Sequence, residues 1–125
     1  MNIPADRKYT KEHEWIVVDA DVARVGVTQY AADALGDVVY VDLPEVGSTV
    51  TADQTCGEIE STKSVSDLYS PATGEITAVN SAVVDAPETI NSDPYDAGWL
   101  YEMKVESLGE LLDDAAYAAL VEAEQ

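Results

Sequence analysis

From Tyr9 onward, short apolar runs rich in Val, Ile, Trp and Tyr alternate with clusters of turn-forming residues, a pattern that favours strands over helices. Residues 14–18 and 22–27 flank Asp19-Ala20-Asp21 and predict an antiparallel pair joined by a tight turn. Thr28 offers a side-chain oxygen to the free N–H groups at a helix start, and Gly36 tolerates the left-handed backbone that ends one, so a short helix is expected over 29–35. A strong strand is expected over 37–43. Further short strands are expected between turn signals at 44–47, 52–53, 61–64, 71–74 and Asn80. Within that region, 55–60 and 67–70 read as the arms of a hairpin whose tip is 61–64.

Residues 87–90 predict a short turn or helix, and 98–105 a final strand. Leu111, Leu112, Ala115, Ala116, Ala119, Leu120 and Ala123 recur at helical spacing. Asp113 or Asp114 near the amino end favours the helix dipole, so a C-terminal helix over about 110–124 is expected to pack on the sheets. Residues 1–6 carry no such pattern and are expected to fray. A faint echo links Val46-Gly47-Ser48-Thr49-Val50 to Val79-Asn80-Ser81-Ala82-Val83, with Gly and Asn, both tolerant of positive φ, at matching positions. The expected fold is mainly β, a sandwich or flattened barrel with short added helices and a C-terminal helix. A chain of 125 residues reads as a single domain, 1–125, with its core at about 9–105.

Charge narrows the possible partners. Six Lys and Arg face 25 Asp and Glu, a formal charge of −19 that repels phosphate backbones and anionic membrane surfaces, so neither nucleic acid nor membrane is expected as a partner. The first residues carry neither a signal-peptide nor a transit-peptide pattern, and no apolar run is long enough to span a bilayer; the expectation is a soluble cytoplasmic protein. The scarcity of Lys resembles proteins of salt-rich, halophilic cytoplasms, and predicts loss of stability at low salt, where the screening length grows from about 3 Å at 1 M to about 30 Å at 0.01 M. Cys56 has no partner for an intrachain disulfide and reads as a small apolar residue in a strand.

Between Arg24 and Lys104 the single cation is Lys63, at the expected hairpin tip among Ser61, Thr62, Ser64 and Ser66. One reading is a solvated surface lysine. The other is an attachment point for a cofactor: small neighbours leave room for a modifying enzyme and a long arm, paired strands give a rigid base, and isolation singles out one amine.

The sequence resembles the H proteins of the glycine cleavage system from Tyr9 to the C-terminal helix. The resemblance is carried by His13-Glu14-Trp15, Val25-Gly26-Val27-Thr28, residues 34–41, Leu43-Pro44-Glu45-Val46-Gly47, Glu60-Ser61-Thr62-Lys63-Ser64, residues 66–71, Gly74-Glu75, Asp93-Pro94-Tyr95 and Gly98-Trp99-Leu100. It implies the hammerhead β-sandwich of lipoyl and biotinyl domains. It also implies a lipoyl carrier, itself not an enzyme, with lipoate in amide linkage to Lys63. The implied partners are a pyridoxal-phosphate glycine decarboxylase (P protein), a tetrahydrofolate-dependent aminomethyltransferase (T protein), a dihydrolipoyl dehydrogenase (L protein) and a lipoate ligase or lipoyl synthase. A monomer is implied. By the same resemblance Glu14 holds the charged aminomethyl arm in a surface cleft, although it also reads as one exposed acid among 25. Asp67 assists it or makes a turn-end hydrogen bond. No metal site is expected. His13 and Trp15 read as packing or local polar contacts. Alternatives left open are an H-like relay of lipoate to 2-oxoacid dehydrogenases, a biotinyl carrier, disfavoured because Thr62 and Ser64 rather than methionines flank Lys63, and an unmodified acidic interaction module.

Overall fold

The computed structural model describes residues 3–124. In chain order, β1 (Lys8–Tyr9), β2 (Glu14–Asp19) and β3 (Val22–Val27) lead into α1 (Gln29–Leu35). Then come β4 (Val38–Asp42), β5 (Thr49–Val50), β6 (Thr55–Ser61), β7 (Val65–Tyr69) and β8 (Ala72–Val79), followed by α2 (Ser81–Asp85), α3 (Thr89–Ser92), β9 (Tyr101–Leu108) and α4 (Asp114–Glu124). The strands form two antiparallel sheets, one in the order β1-β2-β3-β9-β8-β5 and one in the order β4-β6-β7. The mainly β architecture with short helices and a C-terminal helix is the one expected.

The main core lies between the sheets. Ile16, Val25, Ile76 and Met103 from the larger sheet meet Val41, Ile59 and Leu68 from the smaller one, and Ala32 and Leu35 of α1 close one end. The first half of β2 is buried on both faces, because alternate residues point to opposite sides of a strand and Trp15 and Ile16 each find a core. Ile16 enters the main core, while Trp15 joins Tyr9, Tyr117 and Val121 in a second cluster beneath α4. Gly26, opposite Trp15 in the register, makes room for the indole: a Cβ there would lie 2.5 Å from the ring.

The turn at Asp19-Ala20-Asp21, the helix over 29–35 and the hairpin at 61–64 fall where expected. Thr28 caps α1 by accepting from the Ala31 N–H, and Gly36 follows it with φ +80° and an extended ψ, outside the left-handed helical basin but still glycine territory.

Other expectations are corrected. Residues 71–74 are not a turn, since Ala72 opens β8 and the register shifts between Thr73 and Gly74. Gly74 marks a bulge and a close approach, where a Cβ would sit 2.0 Å from the Lys104 carbonyl oxygen. The two halves of the sequence echo differ: Gly47 takes φ +92° ahead of β5, whereas Asn80, with φ −85°, caps the unexpected helix α2. The last strand begins three residues later than expected and runs to Leu108. Leu111 and Leu112 are extended, Leu112 bridging Tyr9 through two backbone hydrogen bonds, and Asp113 caps α4 by accepting from the Ala116 N–H. The buried stripe of α4 is Tyr117 and Val121 rather than the alanines. At the amino end Met1 and Asn2 lie outside the described residues, but Ile3 packs on the second cluster and the Pro4 carbonyl accepts from the Tyr9 hydroxyl, so the expected fraying does not extend through residue 6.

Candidate functional site

Lys63 stands at the tip between β6 and β7, and the tip is pinned from beneath. Ser61, buried though polar, accepts from the backbone N–H groups of Lys63 and Ser64 at 3.3 and 3.1 Å and donates to the Ser64 carbonyl at 3.2 Å. The Thr62 N–H donates to the Asp37 carbonyl at 3.0 Å, tying the tip to the loop after α1. That loop is in turn locked by Asn91 of α3, whose amide donates to the Gly36 carbonyl at 2.7 Å and accepts from the Val38 N–H at 2.9 Å. The lysine side chain folds over Gly36, where a Cβ would lie 3.3 Å from Lys63 Cε. The tip is therefore a fixed platform with an exposed amine.

From this platform a cavity of about 270 Å³ runs between α1 and β7. Ala31, Ala34 and Leu35 form one wall, Ser64 to Leu68 the other, and Glu14 lies in its lining together with His13. Glu14 is also part of a second cavity of about 300 Å³, lined by Thr10, Asp53, Tyr69 and Leu112. Two acids, Glu12 and Glu14, line both cavities, and of these Glu14 is the buried one.

Glu14 is not a solvated acid. It is 2 % exposed, Oε1 accepts from the Thr10 hydroxyl at 2.7 Å, and Oε2 accepts from the Tyr69 N–H at 3.1 Å. Burial pushes its carboxyl up to about 8, while the two hydrogen bonds pull the other way and Glu12 and Asp53 add to the rise. Asp67, by contrast, is exposed in the middle of β7, opposite Glu58 and not at a turn end, and it borders the same cavity as Glu14. Asp42, Glu58 and Asp67 form one cross-strand row on the outer face of the small sheet, all exposed.

The remaining candidates are structural. The His13 ring shares a 2.8 Å hydrogen bond with the Tyr117 hydroxyl, which meets Thr28 Oγ1 at 2.7 Å, so His13 links β2's approach to α4 and to the cap of α1. Trp15 donates its indole N–H to the Pro94 carbonyl at 2.9 Å and lies under the Arg7 guanidinium at 4.6 Å. Cys56 is half-buried in β6, 3.6 Å from the Tyr101 hydroxyl, and burial raises its thiol to about 11, which keeps it unreactive. The sequence reading marks Ser61 only as a small tip residue, and Thr10 and Asn91 not at all. Asn91 acts on partners 53 to 59 residues away, which composition and spacing do not signal, whereas the hydroxyls of Thr10 and Ser61 bond within four residues.

Comparisons with known proteins agree closely. A family model described as "Glycine cleavage H-protein" matches residues 7–124. The glycine cleavage system H protein of Beutenbergia cavernae is 61 % identical over 124 residues, covering 99 % of this chain and 100 % of that one. The corresponding protein of Thermobifida fusca is 56 % identical over 125 residues, with 99 % of each chain covered. A crystal structure of a glycine cleavage system H protein from Mycobacterium marinum superposes with a TM-score of 0.91 at 54 % identity, covering 94 % of this chain and 97 % of that chain.

Proposed function

Because the chain belongs to the glycine cleavage H-protein family, we propose that Lys63 bears its lipoyl arm and that the cavity leading from Lys63 to Glu14 receives the arm when it is loaded. The protein is a lipoyl carrier of the glycine cleavage system. The observation that carries the site assignment is the continuity of that cavity, from the tip residue next to the lysine at one end to a buried carboxylate at the other.

The residues fit the group. Acylation of the Lys63 amine removes its charge, and the apolar wall of Ala31, Ala34 and Leu35 then suits an aliphatic chain. Bound there, lipoate supplies a reactive disulfide that takes up the aminomethyl cargo and is regenerated by reoxidation of its dithiol. Gly36 and the Ser61 hydrogen bonds hold the attachment point against the rigid base of β6 and β7. Glu14, buried and in no ion pair among the described residues, keeps a proton near neutrality; an ammonium brought against it takes the proton's place and forms a charge-assisted pair in a site with little water. Asp67 at the rim adds a screened attraction for the same charge.

The tethered arm raises the local concentration of cargo at each docked enzyme, which is why the chain itself needs no catalytic group. The partners in this reading are the pyridoxal-phosphate decarboxylase, the aminomethyltransferase, the dihydrolipoyl dehydrogenase and the enzyme that attaches lipoate, all in the cytoplasm, with the carrier a monomer. Among the described residues no helix is long and apolar enough to cross a membrane.

The test is the lifetime of the aminomethyl group on the lipoylated carrier in water. Glu14→Ala is expected to shorten it at least about tenfold, the loss of one buried charge-assisted hydrogen bond, and Asp67→Asn about twofold. Equal lifetimes in wild type and Glu14→Ala contradict the reading.

A further inference from the structure

We propose that Thr10 is the positioning residue of the Glu14 carboxylate, holding it aimed and ionisable so that an arriving ammonium can displace its proton; this rests on Glu14 being the group that meets the loaded arm. Thr10 directly follows β1 and is itself buried. It closes the loop into β2 with its backbone, its N–H donating to the Glu14 carbonyl at 2.9 Å and its carbonyl accepting from the His13 N–H at 3.1 Å. Its hydroxyl oxygen accepts from the N–H groups of Glu12 and Glu14, both at 3.2 Å.

A hydroxyl has two lone pairs and one proton. Here both lone pairs are engaged by backbone donors, so the proton has one destination, Glu14 Oε1 at 2.7 Å. The group cannot turn round to accept from a protonated carboxyl without giving up one of those two bonds. The Tyr69 N–H on Oε2 is likewise a donor only. Both carboxylate oxygens are thus fixed by donors that favour the ionised form, set against a burial that favours the neutral one.

The titratable groups around Glu14 leave the clamp as the principal opponent of burial. Lys11 and Glu12 lie on its own loop, Asp53 ahead of β6, Cys56 on β6, Tyr101 on β9 and Glu110 ahead of α4, with the Tyr69 phenol, His13 and Asp67 at the edges of the two cavities. Glu12 and Asp53 raise the proton affinity further, and Lys11, the single cation among these groups, is exposed. Removing the Thr10 donor leaves the Tyr69 N–H as the remaining direct hydrogen bond to the charged form.

The experiment follows the ¹³C signal of the Glu14 side-chain carboxyl against pH in wild type, Thr10→Val and Thr10→Ser, and measures the aminomethyl lifetime on the same lipoylated proteins and on Glu14→Gln. Thr10→Val is expected to raise the Glu14 midpoint by about one pH unit or more and shorten the lifetime near pH 8, while Thr10→Ser restores both. A Thr10→Val midpoint and lifetime equal to wild type, with Glu14→Gln short-lived, overturn the role of Thr10 alone. A Glu14→Gln lifetime equal to wild type overturns the arm-holding reading and the proposal with it. If Thr10→Val does not fold, the wild-type hydroxyl proton of Thr10 decides: its chemical shift is expected to follow the Glu14 titration, and a shift constant from about pH 6 to pH 9 overturns the proposal.

Discussion

The two ends of the cavity between α1 and β7 are built by opposite means. At the Lys63 end a hairpin tip is held by hydrogen bonds from small polar groups, with the amine exposed and little apolar surface buried around it. At the Glu14 end, β2 is packed on both faces and the neighbouring cluster stacks Tyr9 on Tyr117 with ring centroids 4.7 Å apart. The first arrangement gives a modifying enzyme access to one side chain without disturbing the core. The second excludes water from a carboxylate, which is what makes a single charge effective there. The deep end therefore carries stability and the tip carries accessibility, and perturbations should sort accordingly.

The largest stability effect belongs to the deep end. Gly26→Ala drives a methyl to 2.5 Å from the Trp15 ring and is expected to cost about 3 kcal/mol in denaturant unfolding, the upper part of the overpacking range, whereas Lys63→Arg at the tip should leave unfolding unchanged. A small cost for Gly26→Ala erases the contrast between the two ends.

Next comes the buried acid. Because the folded state holds the Glu14 proton up to about pH 8 while the unfolded chain releases it near 4.5, the unfolded state binds fewer protons across that window. Stability then falls as pH rises from about 4.5 to 8 and levels off above it, by a few kcal/mol in total. The difference between wild-type and Glu14→Gln unfolding curves across pH isolates this contribution from the general repulsion of a chain of formal charge −19. Matching slopes contradict the burial argument.

The smallest effect belongs to the tip side. Asp42, Glu58 and Asp67 stand in one row, and like charges directly opposite destabilise a sheet by about 0.2–1 kcal/mol per pair. Lowering salt from about 1 M to about 0.01 M should weaken amide protection in β6 and β7 before that in β2 and β3. Uniform loss of protection would mean that the repulsion is spread over the whole surface and not concentrated on the small sheet.

The contrast also explains which features were legible in the sequence. Lys63 stands out because cations are so scarce around it, and the hairpin beneath it because two strand-like arms flank a local turn. Glu14 was placed by resemblance to known carriers, but its burial was hidden: its partners Thr10 and Tyr69 sit on separate strand ends, and an acidic composition makes any one acid look solvated. Asn91 carried no signal, being a polar residue whose work is long-range backbone satisfaction. Gly74 was misread as a turn because a glycine in a bulge and a glycine in a turn look alike until the opposing strand is known. The helix α4 was expected, but its alanines mimicked an apolar stripe that Tyr117 and Val121 actually form.

The most direct test of the account is intact mass with peptide mapping of the protein purified from its own host, wild type beside Lys63→Arg. The account predicts a lipoyl increment on the peptide containing Lys63 and its complete loss in the variant. An unmodified Lys63 in cells that make lipoate, or an increment that survives Lys63→Arg, would contradict it.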